Sequence, residues 1–274
     1  MERLISVFGG HGFVGSRYCE LTKNVIINDK YDYEVEPGTT DVVYFISTID
    51  NYGVHVNPQN YIDTNLTTML RVLESCRKKG ATFNFISSWF VYGDVELPAK
   101  ENSYCDPKGF YSITKRTAEQ LIISYCETFK MNYRIFRLGN VLGKTDNKVS
   151  KKKNAFQYMV NEIINNRDIE LYDNGEVYRD YIHVDDVVSA INLLLNRSNL
   201  NEIYNIGNGV KIYLREAMEY VVEKTGSKSL LKSREAADFH KIVQSKDMVL
   251  DVSKLKSLGF IPKYTIKEII HTLI

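Results

Sequence analysis

Short apolar runs alternate with amphipathic stretches through the first half of the chain. The runs Leu4–Phe8, Val25–Ile27, Val42–Ile46, Phe83–Ile86 and Tyr133–Phe136 lack the polar alternation of a half-exposed strand, and read as strands buried on both faces. Between most of them, Val14–Leu21, Tyr61–Arg77 and Ile113–Phe129 repeat apolar residues at helical spacing. This alternation predicts an α/β fold, a Rossmann-type doubly wound parallel sheet with right-handed crossovers. One connection is short. Only 11 residues, Pro37 and Gly38 among them, separate Asp29 from Asp41. A parallel crossover carrying a full helix needs a dozen or more, so the helix between strands two and three is expected to be missing. After Gly143 the pattern is mixed, with helices at Ala155–Ile164, Val187–Leu195, Leu214–Lys224 and Ile266–Leu273 and strands at Ile169–Tyr172 and Ile203–Ile206. We expect a first domain over 1–143, a smaller C-terminal α+β lobe over 144–274, and 181–206 packing back onto the first.

The first strand runs into Gly9-Gly10-His11-Gly12-Phe13-Val14-Gly15, a GxxGxxG pattern that opens a helix. Such glycines serve a tight turn, close backbone approach to a pyrophosphate, and close helix–strand packing, with the helix N-terminus receiving the phosphates. The second strand ends at Asp29, whose carboxylate suits ribose hydroxyls and repels a 2′-phosphate, favouring NAD over NADP. Lys30 next to it blunts that preference, so NADP stays open. A solvated turn aspartate is the plainer reading of Asp29.

Tyrosine followed four residues later by lysine recurs easily in a chain with 19 tyrosines, and three such pairs occur. Tyr104/Lys108 encloses the helix-breaking Pro107, and Tyr220/Lys224 lies on a surface-like helix far from the glycine turn. Tyr111/Lys115 instead opens a helix beyond Ser88, at the end of the Phe83–Ile86 strand, where ligands bind in open parallel sheets. A tyrosine is a poor base at neutral pH, but an adjacent ammonium and the positive ring of NAD favour its phenolate. Ser88 is placed to hydrogen-bond the same substrate oxygen, and Lys115 to hold a ribose.

Composition narrows the class. With 44% hydrophobic and 25% charged residues and a net charge of +1, the chain reads as globular, and nothing in it advertises a nucleic-acid or anionic-membrane partner. Cys19, Cys76, Cys105 and Cys126 lack metal or redox spacing, and His11, His55, His240 and His271 lack ligand spacing, so no metal is expected. Neither a leader-like N-terminus nor an apolar run of membrane length is visible, and a cytoplasmic location is expected. The basic run Lys144, Lys148 and Lys151–Lys153 reads as a solvated loop able to draw in an anionic substrate.

Taken with the glycine turn and Tyr111-Ser112-Ile113-Thr114-Lys115, further motifs resemble, in order and over nearly the whole chain, the extended short-chain dehydrogenase/reductase family, in its NAD-dependent nucleotide-sugar epimerase/dehydratase branch. They are Asp41–Ser47, Pro58…Tyr61…Asn65-Leu66, Ser87-Ser88-Trp89-Phe90-Val91-Tyr92-Gly93, Arg137-Leu138-Gly139-Asn140-Val141-Leu142-Gly143, Gly175…Arg179-Asp180-Tyr181-Ile182-His183, Tyr204-Asn205-Ile206-Gly207 and Asp251…Gly259-Phe260-Ile261-Pro262. The resemblance implies a dinucleotide-binding first domain, a substrate-binding C-terminal lobe and a catalytic Ser88, Tyr111 and Lys115. It implies dinucleotide contacts from Gly9, Gly12, Phe13, Val14, Gly15, Asp29, Phe45, Ile46, Ser47, Asn65, Ser87, Tyr111 and Lys115. Contacts to a nucleotide-diphosphate sugar are implied for Ser88, Trp89, Phe90, Asn140 and Arg179, and for Lys241, with Arg234 competing for that last place. His183 is read as a structural histidine, and a homodimer through the helices Tyr61–Arg77 and Tyr111–Phe129 is implied.

The sequence also departs from the family. Dehydratases of this branch usually carry Asp and Glu directly after the catalytic Ser or Thr, and here stand Trp89 and Phe90, which transfer no protons. That leaves chemistry at one carbinol carbon: epimerisation at C4, or reduction of a keto-sugar by NAD(P)H. Trp89 and Phe90 either face the sugar or simply fill the core. A catalytically silent cofactor sensor is a third reading, against which both Tyr111 and Lys115 stand. Relatives are commonly longer, and much of the shortfall falls between Asp29 and Asp41, on the adenosine side.

Overall fold

A computed structural model describes residues 3–29, 31–49, 51–146, 149–150, 153–243 and 247–274. Lys30, Lys148, Lys151 and Lys152 lie outside the described residues. The chain opens with β1 (Ile5–Phe8), α1 (Phe13–Leu21), β2 (Val25–Asn28) and β3 (Asp41–Tyr44). A 3-10 turn at Tyr52–His55 leads to α2 (Gln59–Ile62), a π turn at Asp63–Thr67 and α3 (Thr68–Lys79). Then follow β4 (Thr82–Ser88), α4 (Phe110–Phe129) and β5 (Tyr133–Leu138). The six-stranded sheet, completed by β10 (Glu202–Ile206), is parallel throughout and ordered β10-β5-β4-β3-β1-β2. The chain therefore reverses direction across the sheet between β1 and β3, the place where a parallel sheet opens a crevice at its carboxyl edge.

Two-residue alternation within these strands divides the core. Ile5, Val7, Val43, Ile86 and Phe136 pack with α6 (Val184–Arg197) on one face. Phe8, Val42, Tyr44, Phe83, Phe85 and Ile135 pack against α3 and α4 on the other. Among the described residues no helix joins β2 to β3. The connection instead tucks Val35 into the second core, where its N–H donates to Ser75 Oγ at 2.8 Å, while Asn28 Nδ2 donates to the Glu34 carbonyl at 2.9 Å. A short loop thus replaces the crossover helix and covers the same apolar surface.

The remaining elements are β6 (Asn140–Leu142), α5 (Ala155–Ile164), β7 (Ile169–Tyr172), β8 (Tyr178–Arg179), β9 (Tyr181–His183), β11 (Ile212–Tyr213), α7 (Leu214–Thr225), β12 (Leu231–Arg234), α8 (Asp238–Val243), α9 (Ser253–Ser257) and α10 (Ile266–Leu273). A separate apolar cluster joins α5, α7, β7 and α10. No helix among the described residues is long and apolar enough to cross a membrane.

Asp180, between β8 and β9, ties these parts together. Its fully buried carboxylate accepts the N–H groups of Asn208 at 2.8 Å, Gly209 at 3.0 Å and Leu250 at 3.3 Å. Burial nevertheless outweighs those bonds and pushes its carboxyl up to about 6. Truncation strands three backbone donors in the interior. Asp180→Ala is expected to lose on the order of 3 kcal/mol of stability in urea unfolding, and a loss within error of zero would refute this account.

Candidate functional site

The glycine turn leaves β1 at the crevice. Gly9 has φ +87°, and a Cβ there would lie 2.9 Å from the Ile46 backbone nitrogen; one on Gly15 would lie 2.3 Å from the Gly9 carbonyl oxygen. Only glycine allows backbone to pass this closely. Gly12 caps α1 without a side-chain hydrogen bond, so Phe13 and Val14 open a helix whose first-turn N–H groups take no partner from the cap. This donor set, with its helix dipole, fits the pyrophosphate of a dinucleotide. Phe45, Ile46 and Ser47 follow β3 along the same edge, Phe45 packing on Tyr18 with ring centroids 5.5 Å apart. Asp29 lies just past β2 with its side chain 92% exposed, 3.9 Å from the similarly exposed His11. The β2 side of the crevice is thus open, while the β3 side is walled.

Asn65 sits within the π turn, which places one extra residue in that helical turn. Its carboxamide is buried and fully engaged. Oδ1 accepts from Ser47 Oγ at 3.1 Å and the Thr48 N–H at 2.8 Å, and Nδ2 donates to Thr48 Oγ1 and Thr114 Oγ1, each at 2.8 Å. Asn65 therefore braces the strand that walls the crevice against α4.

Helix α4 carries Tyr111 and Lys115 one turn apart, and so on one face. Burial raises the Tyr111 phenol above its ordinary value, and a hydrogen bond with Ser88 acts to lower it. Lys115 is buried. Its Nζ donates to the Ile86 carbonyl at 2.6 Å and lies 4.5 Å from the Phe85 ring centre. Burial pulls this ammonium down to about 7 against the opposing charge of Glu119. The other two tyrosine–lysine pairs are elsewhere engaged: Lys108 pairs with Asp106 at 2.5 Å, and Lys224 with Glu223 at 2.9 Å.

Beneath this pair lies a network the sequence analysis did not pick out. Ser87 Oγ donates to Glu119 Oε1 at 2.6 Å, and Arg137 grips the same carboxylate bidentately at 3.0 and 2.8 Å. Arg116 adds a bond of 2.8 Å. Burial pushes the Glu119 carboxyl up, but Arg137 above all, with Ser87 and Arg116, holds it below the ordinary range. Two signals were available: Glu119 falls four residues after Lys115, and Arg137 is a charge inside an apolar strand. Asn51 was also missed. It is buried, its Oδ1 accepts the Tyr111 N–H at 3.2 Å, and its Nδ2 has no hydrogen-bond partner among the described residues.

On the far side of Ser88, Trp89 and Phe90 occupy a 3-10 turn that Ser88 Oγ caps. Their rings stack with centroids 3.8 Å apart, and Phe90 meets Tyr111 edge-on at 5.9 Å. Arg179 lies over Trp89, its Cζ 4.9 Å from the ring centre. Asn140 donates from Nδ2 and its backbone N–H to the Asp180 carbonyl, which leaves it bracing the segment beside Arg179. His183 caps α6 by accepting the Asp185 N–H, a structural role. The structure directs Lys241 to Glu235 at 2.8 Å and Arg234 to Glu170 at 2.7 Å. The α8 side chain whose proton affinity feels Arg179 is His240, which packs at a tilt on Tyr172 and bonds the Tyr52 hydroxyl at 2.5 Å. Among the described residues no cluster could hold a metal ion.

Residues 38–207 match the model of the NAD dependent epimerase/dehydratase family, and the chain belongs to that family. It is 26% identical over 197 residues to the uncharacterized UDP-glucose epimerase YtcB of Bacillus subtilis, an alignment covering 70% of this chain but only 60% of that relative. It is 26% identical over 300 residues to a putative UDP-glucose 4-epimerase of Methanocaldococcus jannaschii, covering 97% of this chain and 95% of the relative. The fold matches the UDP-glucose 4-epimerase of Thermotoga maritima, solved with UDP-glucose, with a TM-score of 0.87 at 24% identity over 98% and 97% of the two chains.

The Lys115 ammonium is testable without a substrate. Its folded value, about 7, lies below the ordinary 10.5, so folding disfavours the charged form. That cost is absent above the ordinary value, grows as pH falls from there towards about 7, and is constant below. Lys115→Met is expected to gain melting temperature on the wild type as pH is lowered from 10 to about 7. A difference that does not change with pH would contradict the buried charge.

Proposed function

We propose that this chain is an NAD-dependent nucleotide-sugar epimerase working at a single sugar carbinol, C4, with residues 144–274 forming most of the sugar-nucleotide side of the site. The observation that carries the reading is the pair Trp89–Phe90 beside Ser88 and Tyr111. Where a dehydrating relative would place acid and base, two stacked aromatic rings stand instead, and the groups that act on the Tyr111 phenol are burial and Ser88. Among the described residues, the groups that act on the Tyr111 phenol include no carboxylate, so the site is equipped to move a proton on one hydroxyl.

Gly9, Gly12, Phe13, Val14 and Gly15 would hold the pyrophosphate, Asp29 the adenosine ribose, and Phe45, Ile46 and Ser47 the wall of the crevice. Bound NAD supplies the hydride acceptor for the sugar carbon and a positive ring whose charge favours the Tyr111 phenolate. Tyr111 Oη takes the proton of the sugar hydroxyl and later returns it, so an epimerisation leaves no net proton on the chain. Ser88 Oγ hydrogen-bonds the same sugar oxygen and shares its developing charge. Lys115, anchored by the Ile86 carbonyl, presents its amino group on the Tyr111 side of α4. Arg179 takes the diphosphate, a task suited to a guanidinium fork.

A second reading, reduction of a nucleotide keto-sugar by dissociable NAD(P)H, is favoured by one feature. The connection after β2 carries no helix, and Asp29 is open to solvent, so the adenosine end has little to retain a cofactor. Incubation with UDP-, GDP- and dTDP-hexoses separates the two. Interconversion of C4 epimers without added reduced cofactor is expected; consumption of NAD(P)H with a keto-sugar and no epimerisation would establish the reductase instead. Tyr111→Phe is expected to lose about 100- to 10,000-fold in turnover while binding dinucleotide as before. Wild-type turnover in that variant would remove Tyr111 from the chemistry.

We further propose a homodimer. Ile62, Leu70, Ile113 and Leu121 are exposed on α2, α3 and α4, helices that cover one face of the sheet. Light scattering at micromolar concentration is expected to give twice the 31.6 kDa chain mass, and Leu121→Glu to give the single-chain mass. A wild-type monomer would overturn this.

A further inference from the structure

We propose that Trp89 is a positioning residue: its indole holds the Arg179 guanidinium in place for the substrate's diphosphate and does not itself receive the sugar. This rests on the nucleotide-sugar reading above. Trp89 is only 4% exposed. Phe90 stacks on it at 3.8 Å and 23°, and the Arg179 Cζ lies 4.9 Å from the ring centre. Behind it, Val91, Tyr92, Ala99, Met248, Leu250 and Val252 complete one apolar cluster. A sugar ring would have to displace either Phe90 or Arg179 to reach the indole. Phe90 is less buried and meets Tyr111 directly, so it is the ring that borders the reacting hydroxyl.

The arrangement solves a specific electrostatic problem. Arg179 is 9% exposed, and burial pulls its proton affinity down, to about 10, which still leaves it charged at neutral pH. An aromatic face attracts a cation and offsets part of that burial cost. The ring face takes the cation by its charge, whereas phosphate recognition uses the guanidinium's N–H groups, so one group can serve both. Arg179, Trp89, Phe90 and Tyr111 then form a continuous row from the diphosphate end to the reacting hydroxyl. The row fixes one end of the substrate relative to the other through rigid rings, which lose little entropy when ordered.

Trp89 is also the chain's one tryptophan, so tryptophan emission reports on this position alone. The experiment titrates the purified protein, with NAD present, with UDP, GDP and dTDP, followed by tryptophan fluorescence and by calorimetry. The nucleoside diphosphate that binds is expected to change the Trp89 emission. Trp89→Phe should bind it within about threefold of wild type, and Trp89→Leu about tenfold more weakly, the scale of a desolvated cation–π contact. NAD affinity should be unchanged in both. Adding Trp89→Leu to Arg179→Met should cost no further affinity, because the indole acts through the arginine. Wild-type affinity in Trp89→Leu, or losses that add in full, would overturn the proposal. Should Trp89→Leu fail to fold, Arg179→Met in the otherwise intact protein decides: an unchanged Trp89 emission overturns the contact. If the wild type binds NAD but none of the nucleoside diphosphates, the nucleotide-sugar reading itself falls, a distinct result from loss of coupling between Trp89 and Arg179.

Discussion

The ion pair between Glu119 and Arg137 is the constraint on which the reacting end of the site depends. Both side chains are essentially excluded from solvent, at 0% and 1% exposure. A buried charge without its partner is worth several kcal/mol of instability, so the two residues must meet whenever the chain folds. Meeting fixes three elements at once. Arg137 belongs to β5, Glu119 to α4, and the carboxylate also holds Ser87 at the end of β4. The residue before Ser87 supplies the carbonyl that anchors Lys115, and the residue after it is Ser88. Tyr111 and Lys115 ride on the same helix as Glu119. A polar contact made for burial thereby sets the mutual geometry of serine, tyrosine and lysine.

Much of this was legible in the sequence, and for identifiable reasons. Strand and helix boundaries in the first half follow from runs long enough to carry a period, and the missing helix after β2 follows from counting residues. Tyr111 was separable from Tyr104 and Tyr220 because only it begins a helix beside a strand end. Other features depend on contacts between distant parts of the chain. The helix expected over Tyr61–Arg77 contains a π turn at Asp63–Thr67, which changes hydrogen bonding without changing composition. That turn sends Asn65 into a bracing role among Ser47, Thr48 and Thr114. Trp89 was singled out by its place after Ser88, yet what its ring touches is decided by Arg179, far along the chain. Likewise α8 is too short to show a period, and spacing drew attention to Lys241 where the fold presents His240.

The two ends of the crevice are built differently. Around Tyr111, Ser88, Phe90 and Lys115 are held by buried polar bonds or ring contacts, and close packing of this kind transmits small displacements instead of absorbing them. Around Asp29 and His11 the side chains are largely in water, and the 3.9 Å between them is screened by solvent. Contacts made in the first environment discriminate strongly between ligands, because a mismatch leaves buried groups unpaired. Those made in the second discriminate weakly, because water replaces whatever is lost. On the proposed reading, the short connection after β2 would thus weaken selectivity and grip at the Asp29 end of the crevice and leave the Tyr111 end unaffected.

That division has a consequence for the chemistry. Returning hydride to the opposite face of a sugar requires that the ring turn while its diphosphate stays held. A turning ring needs one firm attachment and one smooth wall. On the epimerase reading proposed above, Arg179, backed by Trp89, would supply the attachment, and the partly exposed Phe90 edge-on to Tyr111 would supply a wall without hydrogen-bonding groups to arrest the rotation. Carboxylates at the same two positions would bind the sugar hydroxyls directionally and hold the ring in one orientation, which suits elimination and opposes turning. On the proposed reading, the aromatic pair that is unsuited to elimination is thus the surface that turning of the ring would require.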